Sequence, residues 1–227
     1  MRLFKENEKL LGLSHHHVMA DKTFLIVGLG GLGGFIANAM VRLGARNILL
    51  VDPDRFEVSN LNRQLFSDQA TLGKYKVDVV KDALHAIDET VHIQTYKETI
   101  QTLIETKTLK KIDAIFDAVD NIPTRLALEA FATKLTVPLF HGALGGFTGQ
   151  VSWVRAGSTL LKTLYGTQTA GIEKTLGSPT FLPPIIANIM VLECIKWLHG
   201  LKPNLKDQLL VIDLLHHTYT IELDLRK

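Results

Sequence analysis

Cysteine is nearly absent: the 227 residues contain one, Cys194. No disulfide can therefore form within the chain, no Cys-rich zinc site can be assembled, and a reducing compartment is the simplest setting. An excess of either charge is missing too, with 25 Lys and Arg against 23 Asp and Glu. That balance excludes the dense basic stripe of a nucleic-acid-binding surface, so no nucleic-acid partner is expected. The opening residues, Met1-Arg2-Leu3-Phe4-Lys5-Glu6-Asn7, carry charges where a signal peptide needs an apolar core. No run approaches the roughly 18 apolar residues of a membrane span, and the expected location is cytoplasmic, without membrane contact. Internal repeats and linker-like stretches are also lacking. A chain of this length buries a full core while two independent domains would be cramped, so residues 1–227 are expected to form a single domain.

From residue 23 onward, short apolar β-branched runs alternate with longer helical stretches, the pattern of an α/β fold with a Rossmann-like, mostly parallel sheet flanked by helices. Strands are expected at Thr23–Val27, Asn47–Val51, His92–Tyr96, Asp113–Val119 and Leu139–Leu144. Helices are expected at about 33–43, closed by Gly44 as a left-handed cap, at 76–87, and from Pro123 through Leu135. After Gly149 the pattern changes to antiparallel strands at 151–154, 208–214 and 218–225, with His216-His217 at a turn. A helix from Pro184 to Leu198, apolar on nearly every side, is expected to serve the core or a subunit interface. His15-His16-His17 reads as an exposed loop, with weak metal binding or a leftover tag as alternatives.

Gly28, Gly30 and Gly33 have GxGxxG spacing directly after a strand and before a helix. In that context the backbone can approach a phosphate, and the helix N-terminus offers N–H groups and a positive dipole. Asp52 closes the second strand, where a carboxylate can accept hydrogen bonds from ribose hydroxyls. An NAD-dependent oxidoreductase would share these features, although little sequence is left over for a large substrate domain. The next stretch, Asp52 to Gln64, crowds carboxylates, amides and Arg63 into one loop, with Asp54, Ser59, Asn60 and Gln64 as further candidate nucleotide contacts. Arg63 can grip phosphate oxygens in a bidentate fork, and Lys76 adds a compact ammonium. Asp120-Asn121 follows the fourth strand at the edge where open α/β sheets bind ligands, and Asp120 can contact Mg²⁺ or merely cap the next helix. Asp54 reads equally as a loop hydrogen-bonder.

The ordered set Gly-x-Gly-Gly-Leu-Gly, Asp-x-Asp, Ser-Asn-Leu-Asn-Arg-Gln, Gly-Lys-x-Lys and Asp-Asn before a helix resembles the ThiF/MoeB/HesA superfamily, related to ubiquitin-activating enzymes. The resemblance implies ATP-dependent adenylylation of the C-terminal glycine of a ubiquitin-like sulfur-carrier protein ending in Gly-Gly, with release of pyrophosphate. It implies that Gly31 lies against the nucleotide, Asp52 holds the ribose, Asn60, Arg63 and Lys76 contact the triphosphate, and Asp120 binds Mg²⁺. Arg63, Lys76 and the metal would then stabilise charge at the α-phosphate, with no general base needed for a carboxylate already ionised near neutral pH. A homodimer is also implied.

The chain departs from the family in three places. It lacks the two CxxC pairs that hold a structural zinc in many relatives, and so resembles a zinc-free branch. Leu161 to Pro179 contains no cysteine for covalent chemistry, and Cys194 falls inside the apolar helix. Where relatives carry an arginine that reaches ATP in the neighbouring subunit, this chain has Lys5, with Arg2 as the alternative. A peptide C-terminus or the threonylcarbamoyl base of tRNA are alternative substrates. A non-catalytic partner subunit is a further reading, weakened because such subunits lose the arginine and lysine.

Overall fold

Five short parallel strands, four of them largely buried and one, His92–Tyr96, at the sheet's edge, set the frame in the computed structural model, which describes residues 4–12, 14–107, 109, 111–166, 176–202 and 204–225. They are β1 Thr23–Val27, β2 Asn47–Val51, β3 His92–Tyr96, β4 Ala114–Asp117 and β5 Leu139–Gly145, paired in parallel. β6 Thr148–Val154, β7 Gln208–Asp213 and β8 Thr218–Asp224 continue the same sheet antiparallel. The spatial order is β3-β2-β1-β4-β5-β6-β7-β8, the α/β architecture expected from the alternation. β1 is buried at every residue, as a central parallel strand covered on both faces must be. The chain steps outward from β1 to β2 and β3, then returns across β1 to β4. That reversal opens a crevice at the carboxyl ends of β1 and β4, the place where open α/β sheets take ligands.

The helices are α1 Lys5–Leu11, α2 His15–Ala20, α3 Gly33–Arg42, α4 Lys76–Ile87, α5 Ile100–Thr106, α6 Ile122–Leu135, α7 Leu160–Tyr165 and α8 Leu182–His199. Gly44 follows α3 at φ 97°, and Pro123 sits in the first turn of α6, as expected. β4 is shorter than its apolar run. The Asp113 carboxylate accepts from the Thr23 N–H at 2.9 Å, and Asp117 folds back on the Val119 N–H at 3.2 Å, local side-chain contacts that mark the two ends of the strand. The short helices α1, α2, α5 and α7 are too brief to show a period in sequence.

Two expectations are corrected. His15-His16-His17 is not an exposed loop: the three residues open α2, and His15 is fully buried. Its Nε2 lies 2.9 Å from the Leu43 carbonyl and its Nδ1 2.9 Å from His199 Nε2, which gives the imidazole hydrogen-bonding partners inside the protein. Second, α8 does reach the length and hydropathy of a membrane span, with 18 residues and a mean hydropathy of 1.2. Glu193 and Lys196 interrupt its apolar run in sequence, but they pair at 2.7 Å, and Glu193 also accepts from the Leu205 N–H at 2.6 Å. Half of α8 is buried, against α3, β5 and β6, which makes it a core helix of this fold.

Candidate active site

The crevice at the reversal is a cleft of about 530 Å³, within the range of small-molecule sites. Apolar side chains from the ends of β1 and β2 and from α5, Val27, Val51 and Ile100, line part of it. They suit the face of a planar ring. The remaining walls come from the glycine loop, the 52–76 loop and the turn after β4.

The glycine loop is built by contact as much as by flexibility. Gly28 has φ +86°, and a Cβ there would sit 2.6 Å from the Ala118 carbonyl oxygen of the neighbouring turn. A Cβ on Gly33 would fall 1.8 Å from the Gly28 carbonyl oxygen. Gly30 and Gly31, by contrast, face the cleft with only ordinary contacts at 3.5 Å. Asp52 ties this loop down: its Oδ2 accepts from the Leu29 N–H at 2.6 Å and its Oδ1 from the Asp54 N–H at 2.8 Å. Burial pushes its carboxyl above the ordinary range, against the opposing pull of Lys76.

Lys76 stands 24 residues beyond Asp52 yet faces it, because the intervening loop folds back on itself. Arg55 bridges Tyr75, and the Lys76 N–H donates to the Asp54 carbonyl at 3.0 Å. Lys76 begins α4, is buried, and places Nζ 3.1 Å from Asp54 Oδ2. Asn60 organises the loop's other arm. Its side chain accepts from the Glu57 N–H at 3.0 Å, and its carbonyl accepts from the N–H groups of Arg63 and Gln64 at 3.1 and 3.0 Å. Arg63 NH1 is held by two neutral acceptors, the Ser59 carbonyl at 2.8 Å and Asn62 Oδ1 at 2.9 Å, so its positive charge is uncompensated by them at the cleft wall. The buried Gln64 Oε1 has no hydrogen-bond partner, an acceptor on the cleft wall suited to a ligand donor.

On the wall formed by the turn after β4, Asn121 is the residue that caps α6, its Oδ1 accepting from the Thr124 N–H at 3.0 Å. That settles the alternative raised for Asp120, which is exposed and lines the cleft without serving as the cap. Sequence reasoning missed Arg125, buried beneath this wall yet lining the cleft. Its guanidinium donates to the Val119 carbonyl at 2.6 Å and the Gly142 carbonyl at 2.9 Å. Thr99 and Gln101 were missed with α5: Thr99 caps that helix, and Gln101 donates to Thr124 Oγ1 at 2.8 Å, bracing the cleft floor. An arginine four residues after Asn121 carried a usable signal, since a long cation on a mostly buried helix needs a partner.

The structure thus brings Gly28, Gly30, Gly31, Asp52, Asp54, Arg63, Gln64, Lys76, Asp120 and Asn121 around one cleft. Gly33, Ser59, Asn60 and Lys5 do not line it: Gly33 packs on Gly28, Asn60 holds its loop from behind, and Lys5 opens α1 on the exposed surface. Arg2, the alternative to Lys5, lies outside the described residues. Cys194 is buried inside α8, and burial pushes its thiol well above the ordinary value. Among the described residues no three His, Cys, Asp or Glu side chains gather as a metal cluster. The single carboxylate of Asp120 fits Mg²⁺, which binds through one or two carboxylates with phosphate oxygens and water supplying the rest.

The model of the ThiF family matches residues 6–227. Over 209 residues the chain is 29% identical to the adenylyltransferase and sulfurtransferase MOCS3-1 of Zea mays, covering 90% of this chain and 45% of that protein. Over 210 residues it is 29% identical to the sulfur carrier protein adenylyltransferase of Thermus thermophilus, covering 86% of this chain and 76% of that one. The chain therefore spans about half the length of some curated relatives it matches, and more of others. Among solved structures, Escherichia coli MccB with AMPCPP and MccA superposes with a TM-score of 0.81 at 14% identity, covering 98% of this chain and 71% of that chain.

Proposed function

This chain belongs to the ThiF family, and on that premise we propose that it is an ATP-dependent adenylyltransferase acting on the terminal carboxylate of a polypeptide. The observation that carries the reading is that Arg63, Lys76 and Asp120 line one cleft together with the glycine loop. An oxidoreductase needs no such concentration of phosphate-directed charge. The polypeptide is a small sulfur carrier ending in Gly-Gly or a shorter peptide, because both present the same free carboxylate.

The carboxylate oxygen attacks the α-phosphorus of ATP, a new C–O–P linkage forms, and the bond to the bridging oxygen breaks to release pyrophosphate. Gly30 and Gly31 let the backbone approach the nucleotide, and the buried Gln64 Oε1 accepts a ligand hydrogen bond. Asp52 fixes the loop through Leu29 and keeps acceptor capacity for ribose hydroxyls. Lys76 exchanges its Asp54 partner for phosphate oxygens, while Arg63 grips them from the loop. Mg²⁺ held at Asp120 supplies further neutralisation of phosphate charge when bound. The carboxylate arrives ionised, so no residue is needed as general base. Homodimerisation, with Lys5 reaching the neighbouring subunit, belongs to the same reading.

The test is exchange of labelled pyrophosphate into ATP, with a Gly-Gly carrier, a short peptide and threonylcarbamoyl tRNA in separate arms. Exchange driven by a carrier or peptide and lost in Arg63→Ala supports the proposal. Exchange driven by tRNA alone, or tight NAD binding with weak Mg·ATP binding, refutes it.

A further inference from the structure

Beneath the rim that carries Asp120 lies a chain of buried polar side chains that the proposed chemistry leaves unused. Asp117 and His141 are fully buried, Arg125 is 2% exposed and Tyr165 8%. The His141 Nδ1 lies 2.7 Å from Asp117 Oδ2, and its Nε2 lies 3.1 Å from the Tyr165 hydroxyl. A carboxylate can only accept, so Nδ1 carries the proton toward Asp117, which makes the 3.3 Å approach of Arg125 NH1 to the same Nδ1 a contact without a hydrogen bond, and in the neutral ring Nε2 accepts from Tyr165. The Tyr165 oxygen in turn accepts from Gln150 Nε2 at 2.8 Å.

This chain ends on the backbone of one residue, Val119, and so on the two peptide units that flank it. Asp117 Oδ1 accepts the Val119 N–H at 3.2 Å, and Arg125 donates to the Val119 carbonyl at 2.6 Å. Both backbone groups of the residue before Asp120 are thus held by side chains whose own positions depend on His141. The far end is equally fixed. Tyr165 is the last residue of α7, whose first turn is held by Glu129 from α6, with Oε1 accepting from the Leu161 N–H at 2.7 Å and Oε2 from the Lys162 N–H at 3.2 Å. A buried ion pair such as Asp117 with Arg125 is costly unless its remaining hydrogen bonds are made. The imidazole makes one of them and passes the constraint to α7.

We propose that Tyr165, His141 and Asp117 form a positioning relay that fixes the Val119–Asp120 turn from inside the protein, coupling α7 to the rim of the nucleotide cleft. These are positioning residues; none of the three lines the cleft. The consequence for nucleotide binding rests on the reading of the cleft given above, whereas the mechanical link does not.

Two variants of the full chain test it, Tyr165→Phe, which deletes one hydroxyl, and His141→Phe, which removes both links. Amide exchange of Val119 is measured without ligand, and ATP affinity is measured by calorimetry with Mg²⁺ and with chelator. Loss of one buried hydrogen bond predicts roughly fivefold faster Val119 exchange in Tyr165→Phe, more in His141→Phe, and unchanged exchange in β2. Mg·ATP affinity falls about fivefold while metal-free ATP affinity holds. If His141→Phe does not fold, Tyr165→Phe decides alone. Unchanged Val119 exchange overturns the relay. Equal losses of Mg·ATP and metal-free ATP affinity also overturn it, as general loosening. Faster exchange in a protein whose wild type binds no ATP upholds the relay and overturns the nucleotide reading.

Discussion

Gly28, Gly30, Gly31 and Gly33 of the glycine loop should separate into two kinds when each is replaced by alanine. A Gly33→Ala Cβ would stand 1.8 Å from the Gly28 carbonyl oxygen, where real contacts stay beyond 3.0 Å, so a backbone oxygen must retreat by more than 1 Å. No flexible side chain can absorb that. Overpacking of this severity costs about 3 kcal/mol, and the gain of up to about 1 kcal/mol from alanine in a helix does not offset it. Gly28→Ala adds a left-handed penalty of about 1–2 kcal/mol to a contact of 2.6 Å with the Ala118 carbonyl. Gly30→Ala and Gly31→Ala meet only ordinary contacts at 3.5 Å. At 2–4 °C per kcal/mol for a chain of this size, thermal unfolding should drop by roughly 4–12 °C in Gly28→Ala and Gly33→Ala. Gly30→Ala and Gly31→Ala should shift it by under about 2 °C while, on the proposed function, weakening ATP, because both residues line the cleft. An unshifted melting temperature in Gly33→Ala, or a large drop in Gly30→Ala, would refute the division into packing glycines and ligand-facing ones.

Lys76→Met keeps the buried stem and removes the ammonium. Pyrophosphate exchange should fall by roughly 10²–10³-fold, and the thermal midpoint near neutral pH should fall too, because Asp54 is largely exposed but the buried Asp52 carboxylate loses the cation that favours its charge. His15 supplies a pH test. Burial, then the neighbouring His199, holds its pKa below the ordinary value, which is about 6.5. Its neutral form therefore stabilises the fold fully above about pH 6.5. As pH falls below that, the unfolded chain binds a proton that the native site refuses, and stability drops. Denaturant midpoints between pH 7.5 and 5.5 should fall more steeply for the wild type than for His15→Gln; parallel slopes would exclude this role.

Much of the frame was legible because it repeats. The central strand β1, buried on both faces, reads as an unbroken apolar run, and the glycine spacing marked where it meets a helix. Arg63, Lys76 and Asp120 were legible as residue types at recognisable spacing. What could not be read was the service behind them. Asn60 is an amide in a polar loop whether it touches a ligand or holds Arg63 and Gln64 in place, and only the Glu57 contact separates these. Arg125, His141 and Tyr165 come from α6, β5 and α7, and their meeting is a product of topology that no local spacing records. His15 misled for a similar reason: three adjacent histidines look solvated until Leu43 and His199 arrive beside the first.

The placement of α8 bears on how the chain is made. The surfaces on which it chiefly rests, α3, β5 and β6, are all encoded before it. During synthesis the segments that cover it have already been translated when α8, the most membrane-like segment among the described residues, emerges. Moving the segment ahead of β5 by circular permutation would expose it with nothing to cover it. The native order of elements thus shortens the time in which an insertion or chaperone system could compete for it.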